Sequence, residues 1–231
     1  MPSDAALGVV GVRATVLSPF HYHSLAVPGG TATQPGFLTD RQVSFALGSA
    51  LGCLSSSLAL PRKDYRTHLA ALPFLASVFE AANPRLLPPL ARRLNLDDEA
   101  GLTKAVLDAT STGNLKTYFF IQEVPPGVVY HGAVFGADPF ALAARAEDAP
   151  CREIVVRTGR HLGGLLRLEL EGPGPARLNV HTAALFGKEQ GLHVELYAMH
   201  DLQLTQPLPI QHAASHVARW RGFGAVAESR T

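Results

Sequence analysis

The sequence has little of what disulfide-stabilised and zinc-stabilised domains need. Its 231 residues include two cysteines, Cys53 and Cys151. Two cysteines make no disulfide framework, and they lack the Cys-x-x-Cys or Cys/His spacing of a zinc site. The N-terminal residues show no basic region followed by a long apolar core, so we expect no secretory signal. These absences predict a reduced, cytoplasmic protein without a metal ion or another cofactor.

Charged residues are also scarce, at 17% of the chain against about 25% in typical soluble domains. A surface with so little charge is typical of a protein embedded in an assembly. The 20 basic and 19 acidic residues give a net charge of +1. This balance excludes an overall polyanion-binding coat, so a nucleic-acid site must be a local basic patch.

Long uninterrupted apolar runs are missing as well. Residues 42–61 carry no charged side chain, but serines and the glycines Gly48 and Gly52 interrupt them. This pattern favours a buried helix over a membrane span, and we expect no membrane partner. The two glycines, one helical turn apart, predict a smooth face that another backbone can approach closely.

Strand and helix patterns alternate through the first two thirds of the chain. Helices are predicted to begin at Thr39, which forms a capping box with Gln42, and at Asp138, from which the helix runs to about residue 147. Strands are predicted over residues 7–17, 115–124, 128–135, 153–157, 165–171, 176–181 and 193–204. The second and third of these strands are expected to pair as a hairpin. The β-α-β-β-α-β order predicts an α+β fold with a ferredoxin-like domain.

This reading divides the chain into three parts. Residues 1–60 and 114–160 form the ferredoxin-like domain. Residues 61–113, which are rich in arginine and proline up to residue 93, predict an inserted helical subdomain. Its basic residues are either a solvated face or one wall of a groove for single-stranded RNA. Residues 161–231 are expected to form a β-rich C-terminal part.

The densest basic signal lies between Arg157 and Arg167, where no acidic residue occurs. We call residues 158–164 the glycine-arginine loop. Glycines let the backbone approach a ligand, and arginines are planar phosphate donors, so anion binding is one interpretation. A hairpin turn flanked by solvated arginines is the other. The nucleotide-hydrolase phosphate-loop pattern is absent.

His21-Tyr22-His23 is the cluster that most resembles a catalytic site. His21 and His23 face the same side of an extended chain, so they could act as acid and base on a phosphodiester, with Tyr22 as an orienting group. A metal site is disfavoured because no third ligand is near in sequence. Tyr22 could also stack on a base, or the segment could be a loop that packs on the edge of the sheet.

Two sets of segments resemble one protein family. Residues 12–23, 34–38 and 43–48 resemble the "Cas five" family of CRISPR effector complexes, within the RAMP superfamily, and are most similar to its type I-D branch. Residues 156–163 are similar to the later Arg-x-Gly-Lys/Arg segment of that family. The sequence departs from the family pattern where Arg160 replaces a frequent lysine and where His161 and Leu162 replace aromatic residues or methionine.

The resemblance implies a non-catalytic subunit of a type I CRISPR effector, Cascade, in antiviral defence. Such a subunit binds the 5′ handle of the crRNA, caps the filament of backbone subunits and adjoins the large subunit near the recognition motif of the target DNA. It also implies that residues 61–113 form a thumb-like arm. We then expect four apolar residues of that arm to be partly exposed in the isolated chain, namely Leu72, Phe74, Leu75 and Phe79.

The predicted RNA-binding residues combine the loop, the histidine cluster and neighbouring strands. They are Arg13, His21, Tyr22, His23, Lys116, Arg157, Gly159, Arg160, His161, Gly163 and Gly164. Two other functions stay open. One is an endoribonuclease of the same fold that cuts the precursor RNA with His21, Tyr22 or His23. The other is a small-molecule enzyme on an unrelated α/β fold.

Overall fold

A computed structural model describes residues 7–22, 24–54, 64–93, 118–144, 150–160 and 163–221. The strands are β1 (Val9–Ser18), β2 (Leu25–Val27), β3 (Gly30–Ala32), β4 (Phe37–Leu38), β5 (Phe74–Ala76), β6 (Phe79–Ala81), β7 (Leu90–Arg93), β8 (Tyr118–Gln122), β9 (Val129–Gly136), β10 (Glu153–Thr158), β11 (Gly164–Glu171), β12 (Leu196–Met199) and β13 (Leu202–Leu204). The helices are α1 (Asp40–Ala50), α2 (Tyr65–Ala71), α3 (Pro139–Ala143), α4 (Val180–Leu185) and α5 (Ile210–Arg221).

The main sheet is antiparallel throughout, in the order β10-β11-β1-β9-β6-β4, with β5 also paired to β9. Because β1 and β6 are both antiparallel to β9, which lies between them, they are parallel to each other. β1, α1 and β6 therefore form a split β-α-β unit. The predicted mixture of helices with a largely antiparallel sheet order, the α+β class, is confirmed.

The core lies on one face of the main sheet and is set by the alternation along β1. Val12, Ala14 and Val16 point inward and are at most 1% exposed, whereas Arg13 points to the other face. α1 covers the inner face beside β5 and β10. Its predicted start is confirmed, since Thr39 accepts a hydrogen bond from the Gln42 amide and the Gln42 side chain accepts one from the Thr39 amide. Asp138 likewise caps α3.

Gly48 and Gly52 do not form the predicted smooth face along α1. Gly48 lies beneath the side chain of Leu72, where a Cβ would be 2.5 Å from a Leu72 methyl carbon. Gly52 adopts φ +67° and ends the helix, a conformation that favours glycine. Within the described part of the chain, no helix is long and apolar enough to cross a membrane.

The described residues of the predicted insertion belong to the two sheets and to the core. α2 is followed by β5 and β6, which both pair with β9. The expected exposure of Leu72, Phe74, Leu75 and Phe79 is wrong, because all four are at most 2% exposed. The run Phe74-Leu75-Ala76 is a short strand buried on both faces, which has no alternating pattern to distinguish it from a helix. Residues 94–113 lie outside the described residues.

The predicted hairpin between residues 115–124 and 128–135 is also wrong. β8 joins a second sheet of order β2-β3-β8-β7, whereas β9 lies in the main sheet. Two consecutive prolines, Pro125 and Pro126, have no backbone N–H for a ladder, and Gly127 turns the chain with φ +80°. The turn therefore carries the chain from one sheet to the other.

The C-terminal part is mixed in structure and packs onto the main sheet. β11 pairs with both β10 and β1, so the sheet extends past the predicted boundary at residue 160. The hairpin of β12 and β13 agrees with the strand pattern of residues 193–204. Residues 176–181 make isolated bridges and then enter α4, and sequence analysis missed α5.

A buried polar contact fastens this part to α1. The Asn179 amide donates to Asp40 Oδ1 and to the Asp201 carbonyl, both at 3.0 Å. Its Oδ1 accepts from the backbone amides of His181 and Gln203. Burial raises the pKa of the Asp40 carboxyl, while the hydrogen bond from Asn179 opposes that shift. Asn179 therefore joins the start of α1, the β12–β13 turn and the start of α4 through one buried side chain.

Replacing Asn179 by Ala should destabilise the fold by about 2–4 kcal/mol, because it removes a helix cap and leaves buried polar groups unpaired. The loss should be smaller at about pH 4 than at pH 7, because the variant raises the pKa of Asp40 further and a protonated Asp40 needs its partner less. Urea denaturation at both pH values measures this. As a control, Asn83→Ala removes an exposed hydrogen bond to the Val129 amide and should cost less than about 1 kcal/mol. Equal losses for the two variants would contradict the role of Asn179.

Candidate nucleic-acid interface

The fold brings together two segments that the sequence presents separately. The glycine-arginine loop connects β10 to β11, and His21-Tyr22 follow the end of β1. The Arg160 amide donates a 2.8 Å hydrogen bond to the His21 carbonyl. The Gly159 amide donates to the Tyr22 hydroxyl at 3.0 Å. The loop is therefore anchored on the aromatic segment by its own backbone.

Three glycines of the loop have different surroundings. Gly159 adopts φ +83°, and a Cβ there would lie 2.9 Å from the Cβ of Phe20. A Cβ on Gly164 would lie 2.4 Å from the same atom. Gly163 is exposed, and a Cβ there would meet nothing within 4 Å. Packing against Phe20 thus explains two of the glycines, and Gly163 is open to a ligand.

Two of the predicted arginines lie exposed at this loop, and a third lies in an ion pair elsewhere on the sheet. Arg157 and Arg160 are both exposed. Arg13 is ion-paired with Glu169 at 2.9 Å and lies five residues, roughly 17 Å of strand, before Ser18, whose hydroxyl donates to the Gly163 carbonyl. The structure therefore does not place Arg13 beside the loop. His23, Lys116 and His161, the remaining predicted residues, lie outside the described residues.

Tyr22 is held in place by its ring and its hydroxyl. Its ring contacts that of Phe20 edge to face, with centroids 6.1 Å apart. Its hydroxyl also lies 3.3 Å from Thr158 Oγ1, which accepts a 2.7 Å hydrogen bond from the Gln42 side chain. Tyr22, Thr158 and Gln42 thus connect the loop to the first turn of α1.

His21 has a carboxylate partner that sequence reasoning missed. Its Nδ1 lies 3.4 Å from Glu123 Oε1, and the two side chains are 14% and 15% exposed. Glu123 follows β8, far from His21 in the chain, and the bridge between Phe20 and Val124 brings it close. Spacing along the sequence could not find this pair. Among the described residues, no group of three His, Cys, Asp or Glu side chains could hold a metal ion.

A groove of about 1060 Å³ lies beside the loop, between α1 and the tip of the β12–β13 hairpin. Its buried cation, Arg41, is bound to the Asp201 carboxylate at 2.5 Å and stacks 4.9 Å over the Tyr65 ring. The charge of Arg41 is therefore satisfied within the protein. Arg157 and Thr158 also line this groove, so the groove is continuous with the loop.

The second sheet contains both the basic strand β7 and the strands β2 and β3, which follow the histidine cluster in the sequence. β7 contains Arg92 and Arg93 and lies at one edge of this sheet, and β2 and β3 follow His21-Tyr22-His23 in the chain. β8 separates β7 from β3. These two arginines were expected in a helical insertion, whereas the structure places them in a strand.

Gly159→Ala should destabilise the protein and disturb the loop, because an alanine there is strained at positive φ and would clash with Phe20. Gly163→Ala is the matched control and should leave stability within about 0.5 kcal/mol of the parent. Thermal denaturation compares the two variants. Equal stability of both would contradict the described packing of the loop on Phe20.

Comparisons with known proteins give structural similarities alone. No protein-family model matches the sequence, and a search of curated proteins finds no match. A chain of the type III-B Cmr-beta structure bound to cognate target RNA and AMPPnP is 14% identical, with a TM-score of 0.40, over 71% of this chain and 64% of that chain. The crystal structure of Pyrococcus furiosus Cmr4 (Cas7) is 10% identical, with a TM-score of 0.30, over 71% and 99% of the two chains. That of oligomeric Cmr4 from Pyrococcus furiosus is 9% identical, with a TM-score of 0.31, over 72% and 100%.

None of the three is described as a Cas five or type I-D protein. The chain spans about 64% of the length of the first of them. At such identities and TM-scores, the similarity assigns no family and no function to this chain.

Proposed function

We propose that this chain is a non-catalytic RNA-binding subunit of a CRISPR effector ribonucleoprotein, built on a ferredoxin-like RAMP domain. The observation that carries the proposal is the anchored glycine-arginine loop, where Arg160 and Gly163, together with Arg157 directly before the loop, are exposed beside His21-Tyr22. A fixed loop with planar cations and an exposed glycine suits a phosphate backbone. The sequence resemblance identifies that backbone as crRNA.

The finer assignment follows the same resemblance. As a Cas five protein of a type I-D Cascade, the chain grips the 5′ handle, caps the backbone filament and adjoins the large subunit near the recognition motif of the target DNA. Low charge and exposed apolar side chains suit a subunit with protein neighbours. Val194 and Leu196, which are 45% and 40% exposed around β12, lie on such a surface.

The His21–Glu123 pair favours a second candidate, an endoribonuclease that cuts the precursor RNA. A carboxylate beside an imidazole orients it as a general base. Cleavage also needs an acid for the leaving group, and the other candidate, His23, lies outside the described residues. Among the described residues, no feature indicates a reaction on a small molecule.

The RNA interface is tested by the salt dependence of binding. Arg160→Ala should weaken binding of a labelled single-stranded RNA and lower the slope of log K against log salt by about 0.7, the loss of one phosphate contact. Fluorescence anisotropy over a salt series measures this. Arg152→Ala, at the opposite end of β10, is the matched control and should leave the slope unchanged. An equal slope in both variants would mean that Arg160 does not contact the RNA and that the loop has only a structural role.

The purified chain should bind precursor crRNA without cutting it, because one imidazole–carboxylate pair is an incomplete acid–base set. Denaturing gel electrophoresis of labelled RNA, with EDTA present, gives the answer. Metal-independent cleavage at one position would favour the endoribonuclease, provided that His21→Ala and Glu123→Gln both abolish it.

A further inference from the structure

We infer that Tyr22 is a positioning residue: its hydroxyl holds Thr158, Gly159 and Arg160 of the glycine-arginine loop in the conformation that binds RNA. This inference rests on the proposed function. It differs from the two roles that the sequence leaves open for Tyr22, stacking on a base and assisting in cleavage. The contacts of the hydroxyl and of the ring carry the argument.

The hydroxyl is fully engaged within the protein. Its oxygen accepts from the Gly159 amide at 3.0 Å, and it lies 3.3 Å from Thr158 Oγ1. A tyrosine hydroxyl has one proton, which can point to Thr158 while the oxygen receives the Gly159 amide. A group with these partners is not free to protonate an RNA oxygen.

The ring of Tyr22 also contacts the protein. It contacts Phe20, which is 3% exposed, edge to face. The backbone on both sides of the ring is fixed, because the Tyr22 amide donates to Thr33 Oγ1 and the Tyr22 carbonyl accepts from the same hydroxyl. These contacts fix the position of the ring, which is partly exposed and lines the groove.

Loss of the hydroxyl would act on the loop through two neighbouring residues. Gly159 and Thr158 are buried, and Thr158 is 2% exposed. Without the hydroxyl, the Gly159 amide loses its hydrogen-bond partner. Gly159 also adopts φ +83°, a backbone conformation that surrounding contacts must hold in place. Arg160 follows directly, and its amide is the other anchor. The hydroxyl therefore controls how the Arg160 side chain is presented.

The test compares Tyr22→Phe and Thr158→Val with Tyr65→Phe, a control that removes a hydroxyl from a partly exposed tyrosine outside the loop. The full-length protein is titrated with a labelled single-stranded RNA over a salt series. Tyr22→Phe should weaken binding roughly three- to tenfold, the effect of one net hydrogen bond. The salt slope should stay at the parent value, because Arg160 still reaches the phosphate in the complex and only the free-energy cost of ordering the loop is added. The double variant should lose less than the product of the single effects, since both act on one contact chain.

Hydrogen exchange of the free protein supplies a readout that needs no RNA. The Gly159 amide should exchange faster in Tyr22→Phe than in the parent and in Tyr65→Phe. Unchanged RNA binding in Tyr22→Phe would overturn the inference, because a stacking ring survives that substitution, and so would unchanged exchange. If exchange accelerates but the parent itself binds no RNA, then the hydrogen bond exists while the proposed function fails, and the positioning role fails with it.

Discussion

The double pairing of β1 is the constraint on which the rest of the structure depends. β9 bonds one edge of this strand and β11 bonds the other, and its inward residues Val12, Ala14 and Val16 are essentially fully buried. A shift of one residue would turn this core face to solvent, so the register is fixed. Because β1 runs into Phe20 and β11 follows the glycine-arginine loop, the same register places the loop against Tyr22.

The proposed RNA contacts of this nearly neutral protein lie in one place. Arg13 is paired with Glu169, Arg41 with Asp201 and Arg177 with Glu80. Each of these pairs sets one positive charge against a carboxylate. Arg157 and Arg160 are exposed on either side of the buried Gly159, and they are the proposed phosphate contacts of the loop.

Local chemistry made part of this structure predictable from the sequence. The capping box at Thr39, the cap at Asp138 and the alternation of β1, β10 and β11 all depend on neighbours within a few residues. Phe74-Leu75-Ala76 was misassigned because a strand buried on both faces has no periodic pattern. Long-range contacts could not be predicted from the sequence. No residue near His21 in the chain indicates its contact with Glu123, and no residue near Asn179 indicates its contact with Asp40. The loop glycines were recognised, but their packing against Phe20 required the fold.

Sequencing of the RNA that co-purifies with the chain tests the central claim most directly. The full-length protein would be isolated from cells that express a CRISPR array, and the bound RNA would be extracted and sequenced. The account predicts RNAs that share one constant 5′ end followed by variable guide sequence. Recovery of no RNA, or of RNA without a common 5′ end, would contradict it.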